Sequence, residues 1–111
     1  MVNIRLFRNK LGDIEKYVIN GHANTAAYGE DIVCAAISVL AQTMILGINR
    51  TLESEPEWSA EEGDLVCIVP ENITNEQRTQ INTLLETMVL GFENIQSQYP
   101  EAIRIETKEV R

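Results

Sequence analysis

The sequence predicts an α+β domain of two layers, a largely antiparallel sheet carrying two helices, in the order β-β-α-β-β-α-β. Three observations predict it. Both ends of the chain, VNIRLFR (2–8) and AIRIETKEV (102–110), alternate residue types with the period of a half-buried strand. Residues 32 to about 52 repeat apolar side chains at helical spacing. A second apolar helical stretch follows Thr74-Asn75-Glu76-Gln77, the spacing of a capping box. A length of 111 residues suits one domain, 1–111, and is too short for two.

Taken in order, residues 2–8 form the first strand, and Leu11-Gly12-Asp13 supplies a turn into IEKYVIN (14–20), so the two make a hairpin. Gly21 ends the second strand, a loop covers 22–30, and Asp31 is placed as the N-cap of a helix running to about Leu52. Three apolar stripes run along that helix. Ile32, Ala36, Val39, Thr43 and Leu46 form the first; Val33, Ile37, Leu40, Met44 and Ile48 the second; Cys34, Ser38, Ala41 and Ile45 the third. One sheet covers one or two stripes, so a second helix or a second subunit must cover the rest. Residues 57–62 form a third strand, Gly63-Asp64 a turn, and LVCIVP (65–70) a central strand in which Cys67 is a small buried hydrophobe. The second helix places Ile81, Leu84, Leu85, Met88, Val89, Phe92 and Ile95 on one face and stops before Pro100. Residues 102–110 close the sheet.

Composition narrows the function. Seventeen acidic against nine basic residues give a formal charge of −8. With no basic run, direct nucleic-acid binding is not expected, whereas a cationic protein or peptide partner is. The N-terminus lacks the apolar core of a signal peptide. Residues 32–49 are uncharged, but Cys34, Ser38, Gln42, Thr43 and Asn49 interrupt them, so no membrane span is expected and the protein is placed in the cytoplasm. Two cysteines without metal-type spacing do not make a disulfide scaffold.

The stretch GHANTAAYGEDIVCAA (21–36) holds the only histidine and the first cysteine. With Asp31 as cap, Cys34 is the third helical residue, where unpaired amides and the helix dipole favour a thiolate. His22, at the mouth of the preceding strand, can fold back toward it. An imidazole beside a thiol takes its proton and produces the activated nucleophile of cysteine hydrolases, and the same amides suit an oxyanion. Gly21 and Gly29 bracket a loop of small residues, Ala23, Asn24, Thr25, Ala26 and Ala27, followed by Tyr28. Such a loop suits a flap that orders over a bound peptide. Against this stands the ordinary fate of a lone histidine at the surface and a lone cysteine in a core. A zinc site from His22, Cys34 and Asp31 lacks a fourth ligand. Asp31 serves as a cap or orients His22, and Ser38, one turn beyond Cys34, bonds within the site or back to a helix carbonyl.

At these residues the sequence resembles the ribosomal-processing cysteine protease family, Prp. The matching pattern is Gly21-His22-Ala23, then Tyr28-Gly29-x-Asp31-Ile32-Val33-Cys34-Ala35-Ala36-x-Ser38. Length and element order extend the resemblance over the whole chain. It implies a cytoplasmic cysteine endopeptidase that removes a short N-terminal extension from a large-subunit ribosomal protein. Cys34 is then the nucleophile and His22 the general base and acid, with Asp31 in support and Gly21 and Ser38 as motif positions. It further implies a homodimer, which answers the surplus apolar surface of the first helix, and no metal or cofactor. One position departs from the family: Asn24 stands where glycine is common. The competing expectations are a non-catalytic ribosome-assembly or regulatory factor that binds a basic partner, and a thiol redox sensor that uses Cys34 alone.

Overall fold

The computed structural model describes residues 1–21 and 28–110, with residues 28–31 described by their backbone alone. The elements are β1 (Val2–Arg8), β2 (Ile14–Asn20), α1 (Tyr28–Leu52), β3 (Glu57–Glu61), β4 (Asp64–Ile68), α2 (Asn75–Gln98) and β5 (Ile103–Glu109). This is the predicted α+β order. Alternation in β1 buries Val2, Ile4 and Leu6 on the helix side. The register of Leu6 opposite Tyr17 and Ile4 opposite Ile19 carries that face across β2.

The sheet order is β3-β4-β2-β1-β5. β1–β2, β2–β4 and β3–β4 are antiparallel, while β5 joins β1 in parallel. β4 is an interior strand, as its apolar run predicts, and Cys67 is fully buried in it. β3 stops one residue short of its expected end because residue 62 turns the chain, and β4 begins at Asp64, which pairs with Glu61 instead of belonging to the turn, while Val69, though buried, has left the strand.

Both helices pack on one face of the sheet. The α2 capping box forms as its spacing predicts: the Thr74 hydroxyl accepts from the Gln77 amide, and the Gln77 side chain accepts from the Thr74 amide. α1 buries Val33, Ile37, Ala41, Ile45 and Ile48, which belong to the second and third stripes. The two helices lie close because each offers the other a glycine. A Cβ on Gly47 would meet Leu84 and one on Gly91 would meet Leu40, so each leucine fills the other helix's glycine notch. Tyr17 ties β2 to α1: its hydroxyl is fully buried and donates to the Ala41 carbonyl at 2.8 Å. The first stripe remains outside this packing, with Ile32, Val39 and Leu46 at 46%, 65% and 70% exposure. α1 from Ile32 to Leu52 has the length and hydropathy of a membrane span, but its buried stripes belong to the core beneath it.

One local expectation is corrected. α1 starts at Tyr28, so Asp31 lies inside its first turn and is not the N-cap, and Tyr28 and Gly29 belong to the helix instead of the loop. An aspartate marks a helix start only where its own backbone is non-helical, and the backbone at Asp31 is helical.

Candidate active site

Cys34 lies six residues after Tyr28, in the second turn of α1. The helix's free amides are therefore those of Tyr28 through Asp31, and the Cys34 amide falls within the intrahelical ladder. The expected placement of Cys34 among the unpaired amides does not hold. Its setting is instead a cleft. The half-buried Cys34, a free thiol, lines a cavity of about 210 Å³ between α1 and the sheet.

The cleft is built from four segments. α1 contributes Cys34, Ser38 and Gln42, spaced at i, i+4 and i+8 along one side of the helix, with Ile37 beneath. β1 and β2 contribute Val2 and Ile19, and the β3–β4 hairpin closes the far wall with Ala60, Gly63 and Leu65 among others. The floor, from Val2, Ile19, Ile37 and Leu65, is apolar because these residues continue the core face of the sheet and of α1. Ser38 Oγ accepts a 2.8 Å hydrogen bond from Gln42 Nε2. Sequence reasoning placed Ser38 here but missed Gln42, although its i+4 spacing from Ser38 was available as a signal.

Gly21 forms the corner where β2 enters the cleft wall. Its φ is +88°, its amide donates to the Gly63 carbonyl at 3.1 Å, and a Cβ there would collide with the Met1 backbone carbonyl. Only glycine fits this corner. The other expected site residues, His22, Ala23, Asn24, Thr25, Ala26 and Ala27, lie outside the described residues, as do the side chains of Tyr28 and Asp31, and Gly29 is described by its backbone.

Cys67 lies opposite Tyr17 in the β2–β4 register, beneath the helices. Burial pushes the Cys67 thiol up to about 11, and burial likewise raises the Tyr17 hydroxyl. Such a thiol stays protonated and inert. Of the two cysteines, only Cys34 meets a cleft.

An α+β domain with a free thiol at the wall of an apolar cleft has the makings of a cysteine protease. A profile of the cysteine protease Prp family matches residues 1–104, and the chain belongs to that family. Two relatives named ribosomal processing cysteine protease Prp are each 26% identical. That of Staphylococcus aureus (strain Mu50) aligns over 97% of this chain and 100% of its own length, that of Bacillus subtilis (strain 168) over 96% and 97%. Among solved structures, SMU.848 from Streptococcus mutans superposes with a TM-score of 0.82 at 28% identity, covering 99% of this chain and 96% of its own. The S. aureus ribosomal processing protease Prp in complex with a substrate peptide has the same fold, with a TM-score of 0.82 at 23% identity over 97% and 100% of the two chains.

Proposed function

We propose that this cysteine protease is an endopeptidase that removes an N-terminal extension from a large-subunit ribosomal protein precursor, using Cys34 as nucleophile and His22 as base. The observation that carries the reading is the shared cleft: Cys34 lines one wall, and Gly21, directly before His22 in the chain, lines another. The two names and the peptide bound to the S. aureus relative support the substrate class.

In this mechanism His22 accepts the Cys34 proton and the thiolate adds to the scissile carbonyl carbon. The tetrahedral intermediate collapses as His22 returns the proton to the departing amine, so the C–N bond breaks and a thioester remains. Water, deprotonated by His22, then cleaves the thioester and restores the thiol. Asp31 supports the dyad, and the apolar floor of the cleft receives an apolar substrate side chain next to the cut. No metal or cofactor is required.

The enzyme works in the cytoplasm as a homodimer. Ile32, Val39 and Leu46 form an uncovered apolar stripe along α1, which a second copy covers through an isologous contact. A charge of −8 favours encounter with a basic ribosomal protein.

The test is incubation of the purified protein with its host's full-length precursor, followed by intact mass. A single N-terminal cut is expected, absent in Cys34→Ala and in His22→Ala. A Cys34→Ala chain that cuts at the wild-type rate ends the mechanism, and an extended precursor left whole by the folded wild-type protein ends the proposed function.

A further inference from the structure

β3 is an edge strand with all five residues exposed, and its Ala60–Glu61 end forms part of the cleft beside Cys34. The backbone pattern shows which of its groups are free. Gly63 accepts from the Gly21 amide, and the Val69 amide donates to Glu15, so odd-numbered residues of β4 turn their backbone groups toward β2. Even-numbered residues, Asp64, Val66 and Ile68, therefore face β3, where their register partners are Glu61, Ser59 and Glu57. Those three spend their amides and carbonyls on β4. Trp58 and Ala60 turn theirs to the outer edge, which is open among the described residues.

The same two residues face the helix side of the sheet. Trp58 is opposite the buried Cys67 and Ala60 opposite the buried Leu65, and opposed residues share a face. Trp58 is 42% exposed, and its indole N–H donates to Glu55 at 2.8 Å, which fixes the ring beside the strand. The open edge and the indole thus share the side of β3 that runs into the cleft, and Cys34 lines the same cleft. The opposite sheet edge, β5, contributes no residue to the cleft.

We infer that the free edge of β3 is a strand-addition site that holds the substrate in extended form, with Trp58 and Ala60 pairing to its backbone while the residue to be cut sits at Cys34. This rests on the proteolytic reading and specifies how its substrate is held. An added strand gains main-chain hydrogen bonds without regard to sequence, and Trp58 contacts one side chain, so affinity and selectivity come from different groups. Alternation follows: every second substrate residue points its amide at β3, and the intervening ones point theirs away.

The experiment uses the Cys34→Ala chain, which does not cut, with a synthetic peptide spanning the precursor's extension and junction. Amide exchange at Trp58 and Ala60 is expected to slow on peptide addition, while Glu57, Ser59 and Glu61, already bonded to β4, stay unchanged. N-methylation of the peptide one residue at a time should weaken binding about tenfold at alternate positions and less than about twofold between them. Trp58→Ala should weaken binding about three- to tenfold. Unchanged exchange at Trp58 and Ala60, a flat methylation profile, or no binding overturns the inference. Wild-type cleavage of the same peptide is scored separately. Cleavage without edge protection overturns strand addition alone, and edge protection without cleavage overturns the proteolytic reading alone.

Discussion

Gly21 sits at a corner with a positive φ, pressed against the Met1 carbonyl and bonded to Gly63. Any side chain there meets both backbone strain and a rigid backbone atom, and the residue that follows is His22. Gly21→Ala is therefore expected to cost about 1–3 kcal/mol and to lower kcat/KM by more than the loss of folded protein explains. Denaturant titration alongside initial rates checks it, and an unchanged midpoint refutes it. The two cysteines differ in kind. Cys34 borders a cleft, whereas Cys67 is sealed under the helices with its ionisation pushed up to about 11. Iodoacetamide should label Cys34 in the native protein and Cys67 only after unfolding, read by peptide mass mapping.

At the level of elements, the α1–α2 contact depends on two glycine notches of unequal depth. At Gly47 an added Cβ would stand 3.2 Å from Leu84 Cδ1, a gap closed by a small side-chain adjustment. Replacing glycine with alanine inside a helix gains about 1 kcal/mol of propensity, so Gly47→Ala is expected to be neutral or mildly stabilising. At Gly91 the Cβ would stand 2.9 Å from Leu40 Cδ1, with Cδ2 and Cγ at ordinary contact distance, so the tip of the Leu40 side chain must shift further than Leu84 does. Overpacking of about 1 kcal/mol then cancels the propensity gain, so Gly91→Ala is expected to be less stable than Gly47→Ala. Thermal melts should place Gly47→Ala above Gly91→Ala, and the gap should shrink when Leu40→Ala is added to both. Arg8 pairs bidentately with Glu86 and joins β1 to α2, but Glu86 is 48% exposed, so this pair contributes under about 1 kcal/mol.

For the whole molecule, the proposed homodimer rests on the uncovered stripe of α1. Val39→Glu and Leu46→Glu place charge on that stripe without touching the core, and each should convert the proposed dimer to monomer in sedimentation. A dimer that survives both places its interface on another face. The net charge makes a kinetic prediction: raising salt from 0.05 to about 0.5 M should lower kcat/KM toward the basic precursor more than toward a neutral peptide. Equal salt dependence would remove the steering role. Stability should fall at alkaline pH. The Cys67 thiol ionises near its ordinary 9.0 in the unfolded chain but only at about 11 when folded, so the unfolded chain sheds a proton first. Stability is full below pH 9 and declines as pH rises toward 11, and Tyr17, also raised, extends the decline. Melting temperatures across that window should drop, and less steeply in Cys67→Val.

The sequence by itself determined the order of elements, because alternation in β1, helical periodicity in α1 and the capping box at Thr74 are local signals that tertiary contacts did not override. It also marked Cys34 and Ser38, since a motif is a matter of residue types at fixed spacing, and it anticipated uncovered apolar surface on α1, since one sheet cannot face three stripes. Only the tertiary structure decided the rest. The start of α1 at Tyr28 depends on the first-turn backbone, which a cap-type aspartate at 31 obscures. The parallel docking of β5 on β1 and the reciprocal glycine notches join residues far apart in sequence, and no local period encodes such pairings. The cleft arises the same way, from Val2, Ile19, Ile37 and Leu65, each apolar for the sake of the core and brought together beside Cys34 by the fold.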